Sequence, residues 1–469
     1  MRDRIYLLIL TAFLLLLLNQ CAGGGSSDSS EGGPNETCEP DSQQACGNLS
    51  EVRVNGTGLP VVDVANIKAA LLDVKTGGTI RLVGRFEMTP CIGCIVITKP
   101  VTIQGSNCSL FGGVPDGCVP ATAEIVHGLL PFVVAQTHTG TTGIHINNLH
   151  FHGQVLGPCI ISLSLGLVEF DDNRVDDQTA LPIGPVMTRT GLGSLQVQLF
   201  TKDPNVAAQY PELVALLGSG GPSLILGDVV YRRNYIDLLT NSPAPFIAED
   251  NCLTAATCQN SSITMTDNVV MTHGDGIELE GCTNPDGVIT ITNNRIVLDA
   301  TRSTEGTLYG WGSPAAIKML TLANKSATVT GNNVTVTGHE TATAVTAGTT
   351  SPDAKWFFQN NQFSTQGQLA AFVGGNAGVP PFFLGSSLSN AVITGNKFVG
   401  TAGWGVAFKD APTFVNKATG NQVKNNDFTE FTPTTGYTIF LGAGTSNNVI
   451  TGPVNGGVDD LGVGNSTVY

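Results

Sequence analysis

The segment THGDGIELEG, residues 272–281, holds the side chains best suited to acid–base chemistry. Apolar residues alternate with glutamates in its second half, so Glu278 is expected to face solvent, while His273 and Asp275 lie at the preceding bend. An acid and a base about 6.5 to 9.5 Å apart would suit an inverting glycoside hydrolase. We therefore predict Asp275, Glu278 and His273 as candidate catalytic residues. The alternative is that Gly-Asp-Gly is only a bend between two strands.

Three basic residues are candidates for binding an acidic sugar, because a planar guanidinium pairs well with a carboxylate. Arg232 and Arg233 occupy the positions of a repeat that Asp171 and Asp172 occupy one repeat earlier, and Lys318 follows later in the chain. The alternative for the two arginines is a ladder of surface ion pairs of modest stability. Both hypotheses predict that these acids and bases stack on neighbouring coils.

Histidines form a third group of candidates. His150 and His152 are two residues apart on a predicted strand, so their side chains share one face, and a metal ion could bridge them with His145. Isolated surface histidines are more common than metal ligands, and no carboxylate is close to these three in sequence. We list them as weak metal candidates only.

The overall composition favours strands and excludes some partners. The chain has 469 residues with 57 glycines, 24 prolines and 13% charged residues, which is typical of short strands joined by tight turns. A net charge of -15 argues against nonspecific binding to nucleic acid or to anionic lipid. Sugars and proteins remain possible partners.

The N-terminus predicts export. Arg2 and Arg4 precede an apolar run over residues 5–18, which is the pattern of a signal peptide. Cys21, followed by a Gly/Ser-rich stretch, resembles the lipidated cysteine of a bacterial lipoprotein, although Gln20 stands where such signals usually have a small residue. The resemblance implies a membrane anchor at Cys21 and an outer-membrane or cell-surface location. An ordinary secretory signal, giving a secreted or periplasmic protein, is the alternative.

The predicted boundaries are a signal peptide at 1–20, a flexible tether at 21–50 and a single domain at 51–469. Removing Cys21 from the eleven cysteines leaves ten, an even number that suits disulfides in an oxidising compartment. The pairing of these cysteines cannot be deduced from the sequence.

A short pattern recurs from residue 168 onward: apolar, any, apolar, any, any, Asn, any, apolar. AVITGNKF, residues 391–398, is one copy. After a first gap of 61 residues, the repeated asparagines are 26 to 38 residues apart, which is the spacing of a solenoid. They are Asn173, Asn234, Asn268, Asn294, Asn332, Asn361, Asn396 and Asn426.

Stacked coils would place each repeated asparagine above the previous one, at the strand spacing of about 4.8 Å. Side-chain amides can donate and accept hydrogen bonds along such a ladder, and asparagine tolerates the left-handed backbone of a tight turn. We predict a structural role for these asparagines.

Upstream of the repeats, DVANIKAALLDVKTGG predicts a helix that is capped by Asp63 and ends at Gly77 and Gly78, before the first strands. A helix followed by such repeats resembles the N-terminal end of right-handed parallel β-helix proteins, the pectate-lyase-like group, in which a helix covers the first coil. The resemblance implies an all-β, single-stranded right-handed parallel β-helix. Residues 203–221 predict a lateral helical insertion.

The resemblance leaves the function open, because this scaffold hosts lyases, hydrolases, esterases, epimerases and noncatalytic adhesins. We expect a protein that binds extended polysaccharide on the solenoid face. One alternative is a glycoside hydrolase or polysaccharide lyase acting on acidic polysaccharide. Another is a noncatalytic adhesin or structural protein with a protein partner. No cofactor is expected, except that a lyase would imply Ca²⁺.

Overall fold

The computed structural model describes most of the chain after the predicted tether. The described residues are 48–89, 94–105, 123–127, 131–134, 136, 142–153, 160–162, 164, 166–178, 187–188, 224–237, 246–249, 258–260, 262–282, 287–302, 314–323, 325–349, 353–375, 388–408 and 418–468. The predicted signal peptide, Cys21 and the predicted insertion at 203–221 lie outside them.

Helix α1, Pro60–Asp73, packs against the first strands and was expected as a cap. It begins three residues before Asp63, because Pro60 at its first position has the fixed φ that a first turn requires. Asp63 is buried within the first turn, where its carboxylate accepts hydrogen bonds from the backbone N–H groups of Thr57 at 2.7 Å and Glu87 at 2.9 Å. The prediction that Asp63 caps the helix and that glycines stop it was wrong, since β-strand residues follow Asp73 directly.

Among the described residues, all pairings between the strands of the coils are parallel. Each strand pairs with strands of the neighbouring coils. The strands form three long faces, which we call faces A, B and C. This arrangement confirms the predicted fold class, an all-β parallel β-helix.

Face A is the 14-stranded sheet. Its strands are β1 (Leu49–Asn55), β2 (Val74–Val83), β5 (Thr102–Gln104), β8 (Ile144–Asn147), β11 (Val168–Asp171), β15 (Val229–Arg232), β19 (Ser262–Thr266), β22 (Val288–Thr292), β25 (Ser326–Thr330), β28 (Lys355–Gln359), β30 (Val392–Thr394), β32 (Gln422–Lys424), β35 (Val449–Thr451) and β37 (Ser466–Val468).

Face B follows face A in each coil. Its strands are β3 (Arg85–Met88), β6 (Ala123–His127), β9 (Leu149–Gly153), β12 (Arg174–Gln178), β16 (Tyr235–Asp237), β20 (Val269–Thr272), β23 (Arg295–Asp299), β26 (Asn333–Thr337), the first parts of β29 (Gln362–Gly374) and β31 (Lys397–Phe408), and β33 (Asp427–Pro433).

Face C completes each coil, and β29 and β31 run on into it. Its other strands are β13 (Met187–Thr188), β17 (Phe246–Glu249), β21 (Ile277–Cys282), β24 (Ala315–Ala323), β27 (Thr343–Thr349), β34 (Ile439–Leu441) and β36 (Val458–Asp460). A small three-stranded parallel sheet consists of β4 (Ile95–Ile97), β7 (Phe132–Val134) and β10 (Ile160–Ser162). A two-stranded parallel sheet consists of β14 (Leu224–Leu226) and β18 (Cys258–Asn260). A 3-10 helix spans Ala300–Arg302.

The repeated asparagines form a buried ladder at the turn between faces A and B. Asn234 shows the pattern: its amide nitrogen donates to Phe170 O at 2.8 Å and to Asn268 Oδ1 at 2.9 Å. The backbone N–H of Asn234 also donates to Asn268 Oδ1, at 3.0 Å. The same bonds recur down the ladder to Asn426. These side chains hold one coil to the next, as the sequence predicted.

The left-handed backbone conformation belongs to the residue before each ladder asparagine. Asp172, Arg233 and Asp267 have φ between 54° and 56°, whereas the sequence reasoning gave this conformation to the asparagines themselves. Glycine takes the same position in AVITGNKF, where Gly395 has φ of 65° and an added Cβ would lie 2.5 Å from Asn360 Oδ1. The ladder asparagines are thus selected for their amides alone.

A second amide ladder, which the sequence reasoning missed, lies at the start of the last face A strands. Asn421 donates from its amide to Asn448 Oδ1 at 2.9 Å, and Asn448 donates to Asn465 Oδ1 at 3.0 Å. In each case an asparagine directly precedes a strand, which is the signal that could have revealed it. The two ladders hold both ends of the face A strands in the last coils.

The interior of the solenoid is filled by apolar side chains that alternate with outward polar ones. Aromatic rings contact one another within it, as in the edge-to-face pair of Phe170 and Tyr231, whose centroids are 6.0 Å apart. Trp356 is fully buried. Cys94 is disulfide-bonded, and the wider cysteine pairing remains a prediction. Within the described ranges, no helix has the length and apolar character needed to cross a bilayer.

Candidate functional site

Asp275, a catalytic candidate, and Lys318, a candidate for sugar binding, lie in contact. Asp275 follows β20 at the bend into β21, and its carboxylate accepts hydrogen bonds from the Ala315 N–H at 2.6 Å and from Lys318 Nζ at 3.1 Å. Asp275 is only 1% exposed and Lys318 only 4%. Loss of either partner of such a buried pair would leave an uncompensated buried charge. Its burial keeps a polymer outside the coil from reaching the carboxylate in this conformation.

The other two catalytic candidates, His273 and Glu278, flank Asp275 in the chain. His273 is buried and donates from Nδ1 to the backbone carbonyl oxygen of Asp299 at 2.7 Å. Glu278 lies opposite Lys318 in the paired strands of face C, and its side chain is outside the described part of the structure. A catalytic role for these residues remains a prediction.

Arg232 and Arg233 pair with the acids of the preceding coil, as both hypotheses for them predicted. Arg233 binds Asp172 through two nitrogens, with Nε at 2.8 Å from Oδ1 and Nη2 at 2.6 Å from Oδ2. Arg232 contacts both Asp171 and Glu169, and the Nε–Asp171 Oδ2 distance is 3.1 Å. The side chains of Arg232 and Arg233 remain 35% and 40% exposed. The ion-pair ladder therefore exists, and both guanidinium groups still border solvent.

The ion pairs change the titration of their members. Burial raises the pKa of the Asp171 carboxyl, and the hydrogen bond and charge of Arg232 oppose this only in part. The bond to Asp172 raises the pKa of Arg233. Asp171 Oδ1 is buried with no hydrogen-bond partner among the described residues. Arg232 therefore has a carboxylate below it that is costly to leave unpaired.

One outward row of face A is polar over almost its whole length, and we call it the polar row. Its members occupy successive register positions and alternate with buried core residues. Only the last position of the row, Val468, is apolar. The polar row consists of Arg53, Arg81, Gln104, Asn147, Asp171, Arg232, Thr266, Thr292, Thr330, Gln359, Thr394, Lys424 and Thr451.

A second group of titratable side chains converges on face B, and we call it the face-B cluster. It consists of Glu124, His150, His152, Arg174, Asp176 and Tyr235. The imidazole rings of His150 and His152 stack with centroids 4.7 Å apart. His150 Nε2 lies 2.5 Å from Asp176 Oδ1, and His152 Nε2 lies 3.7 Å from Glu124 Oε2. The cluster thus combines two carboxylates with two imidazoles.

The neighbours of Asp176 determine the charges in this cluster. Burial alone would raise the pKa of the Asp176 carboxyl, but hydrogen bonds from His150 and Arg174 outweigh it, so the pKa is lowered. Burial, followed by the nearby His150, lowers the pKa of His152. The Arg174 guanidinium also lies over the Tyr235 ring, 5.7 Å from its centroid, and half of its side chain is exposed. At neutral pH the cluster therefore presents an ionised Asp176 and a neutral His152.

His145 does not join the other two histidines. It lies on face A, where its Nδ1 is 2.6 Å from Glu169 Oε2. The sequence reasoning also missed Glu124 and Asp176, because they belong to the coils before and after His150 and only coil stacking brings them close. Glu124 lies directly opposite His150 in the paired strands.

Solved structures that are similar to this chain include two enzymes. DFA-IIIase from Arthrobacter chlorophenolicus A6 in complex with DFA-III is 14% identical, with a TM-score of 0.39 over 87% of this chain and 96% of that chain. Its complex with GF2 gives 15% identity and a TM-score of 0.37 over 89% and 95%. The A-module of the Azotobacter vinelandii mannuronan C-5 epimerase AlgE4 is 12% identical, with a TM-score of 0.32 over 87% and 92%.

These similarities transfer no residue role to this chain. No family model matches the sequence, and no curated protein matches it. The function must therefore be argued from the chain's own side chains.

Proposed function

We propose that this protein binds an extended acidic polysaccharide along the polar row of face A. The observation that carries the proposal is the continuity of the row, which offers hydroxyl, amide and charged groups on successive coils. A polymer with repeated hydroxyl and carboxylate groups matches such a surface, whereas a compact ligand would use only a small part of it.

The charges of the row favour an acidic polymer. Arg232 and Lys424 stand at two points of the row, six strand spacings of about 4.8 Å apart, or about 29 Å. Five uncharged polar side chains lie between them, namely Thr266, Thr292, Thr330, Gln359 and Thr394. Lys424 Nζ contacts Gln422 at 3.2 Å, so its positive charge is available to a ligand carboxylate.

The separation of the two cations allows a direct test. Binding of a polyuronic acid and of a neutral polysaccharide would be measured by calorimetry for the wild type, Arg232→Gln and Lys424→Gln. A polymer that spans the row should lose affinity in each single variant and at raised salt, because exposed ion pairs are screened. Arg295→Gln is the matched control, since Arg295 is an exposed cation on face B. Equal affinity in all four proteins would refute binding along the row.

Cleavage is a second candidate function, and the face-B cluster favours it. Its two carboxylates, two imidazoles and half-exposed arginine are the groups that acid–base chemistry on an acidic sugar requires. Incubation with acidic and neutral polysaccharides would reveal new reducing ends from a hydrolase, or unsaturated product absorbance from a lyase. Asp176→Asn should abolish either product while leaving binding to the polar row intact. Binding without any product would leave a noncatalytic protein, and absence of glycan binding would favour a protein partner.

Export and lipid anchoring at Cys21 are part of the same proposal and depend on the sequence alone. A lipidated Cys21 would hold the solenoid at a membrane surface through the Gly/Ser-rich segment that follows it. Labelling of cells with a tagged fatty acid tests the anchor. Label should appear in the wild-type chain and be lost in Cys21→Ala, while a soluble, unlabelled wild-type chain would indicate an ordinary secretory signal.

A further inference from the structure

We propose that Glu124, His150 and His152 form a binding site for a divalent transition-metal ion of the zinc type. One ligand atom from each of the three residues lies within 4.8 Å of the others. The site is independent of polysaccharide binding along the polar row, because it rests on the geometry of face B, although its residues belong to the cluster proposed for cleavage.

The coil stacking explains how the three ligands meet. Glu124 on β6 is the register partner of His150 on β9, so the two side chains extend from adjacent strands. His150 and His152 are two residues apart on one strand and share its outer face, while Phe151 between them is buried in the core. The backbone of two paired strands therefore fixes all three ligand positions.

The distances between the ligand atoms are only slightly longer than those around a bound metal ion. Zn–N bonds of about 2.0–2.1 Å in a tetrahedral site place ligand atoms about 3.3–3.5 Å apart. His152 Nε2 and Glu124 Oε2 are 3.7 Å apart, so this pair needs to move by only a few tenths of an ångström. The ligand atoms of the three residues are at most 4.8 Å apart, and rotation of these side chains, which are not fully buried, brings the wider pairs together.

The unused hydrogen-bonding capacity of His152 is a second, independent observation. His152 Nε2 is buried and has no hydrogen-bond partner among the described residues. A buried polar atom without a partner costs free energy that a metal bond would recover. Because this atom faces Glu124 within the group, it is placed to become a ligand.

Asp176 and Arg174 support the site from outside the three ligands. Asp176 Oδ1 lies 2.5 Å from His150 Nε2, and Arg174 binds the other Asp176 oxygen. Carboxylates commonly orient metal-binding imidazoles in this way. Glu124 is 42% exposed, which leaves a path for the ion and a coordination position for water or a ligand oxygen.

The donor set selects the class of metal. Two imidazoles and one carboxylate suit Zn²⁺ and related first-row ions, whereas Ca²⁺ and Mg²⁺ prefer sites built from oxygen ligands. This site therefore differs from the Ca²⁺ site that a lyase would imply. Any Ca²⁺ requirement would have to be met by other residues.

Direct titration tests the proposal. The untagged, chelator-treated protein should bind one Zn²⁺ per chain by calorimetry, and Co²⁺ should give the visible spectrum of a four-coordinate site. Glu124→Gln and the double variant His150→Gln/His152→Gln should weaken Zn²⁺ binding by about 100-fold or more, since loss of supporting contacts alone costs about 10- to 100-fold. His145→Gln is the matched control, because it removes a histidine that is paired with a carboxylate on face A.

Three results would overturn the site. They are no binding of Zn²⁺ or Co²⁺ by the wild type, equal binding by Glu124→Gln and the double variant, and loss of binding in His145→Gln alone. Glu124 is half-exposed, so its variant keeps the test valid if the double variant fails to fold. Circular dichroism in chelator would identify such a failure.

Discussion

Removal of one ladder asparagine should test how much the amide ladder stabilises the solenoid. Asn332 is 1% exposed, and its amide donates to Ile291 O and Asn361 Oδ1, both at 2.9 Å. Its Oδ1 accepts from the backbone N–H and the amide of Asn294, at 2.9 and 3.0 Å. At about 1 kcal/mol per hydrogen bond, Asn332→Ala should lower the free energy of unfolding by about 4 kcal/mol. That is a large part of the ~5–15 kcal/mol typical of a folded protein.

The adjacent residue supplies the control. Asn333 is an exposed asparagine on the next position, so Asn333→Ala should change the free energy of unfolding by no more than about 0.5 kcal/mol. Urea denaturation would be followed by circular dichroism and by tryptophan fluorescence, which includes the buried Trp356. A loss of less than about 1 kcal/mol in Asn332→Ala, or equal losses in both variants, would refute the stabilising role of the ladder.

Three further predictions concern charge and backbone. Asp275→Asn should lower the free energy of unfolding by about 3–5 kcal/mol, because it leaves Lys318 buried without its anion. Adding Lys318→Met in a double variant should recover part of this loss. If urea denaturation shows that the losses of the two single variants simply add in the double variant, the pairing is contradicted. Burial raises the pKa of Asp171, so the folded state keeps the proton of this carboxyl to a higher pH than the unfolded state does. The contribution of Asp171 to the free energy of unfolding therefore falls as the pH rises above about 4. The stability difference between wild type and Asp171→Asn should therefore shrink from pH 4 to pH 7 in urea titrations, and a difference that grows would reverse the assigned sign. Gly395→Ala should cost at least about 1–2 kcal/mol, because φ of 65° and the 2.5 Å approach to Asn360 both oppose a Cβ, and an unchanged melting temperature would contradict this.

The repeat pattern was enough to predict the fold class. Each copy of AVITGNKF encodes two inward side chains, a turn and an amide, and these are local features with a fixed period. Because every coil repeats the same local sequence pattern, the stacking of the coils and the asparagine ladder follow from that pattern. The sequence also predicted that the arginines would stack on the acids of the previous coil.

Details that depend on a single residue's surroundings were less predictable. The left-handed position fell one residue earlier than expected, because the ladder geometry requires the asparagine amide to point inward and leaves the preceding residue to turn the chain. Whether a charged side chain is buried also depends on its neighbours in space, and so the bend position of Asp275 in the sequence did not reveal that it is enclosed.

By itself, the sequence determined the solenoid, its polar outer row and its buried amides, since these arise from periodicity along the chain. Only the tertiary structure decided which outward side chains meet. Glu124, His150 and Asp176 come from three successive coils and carry no shared motif, and they converge because parallel strands stack in register about 4.8 Å apart. His145, only five residues from His150, lies on another face because the chain turns between them.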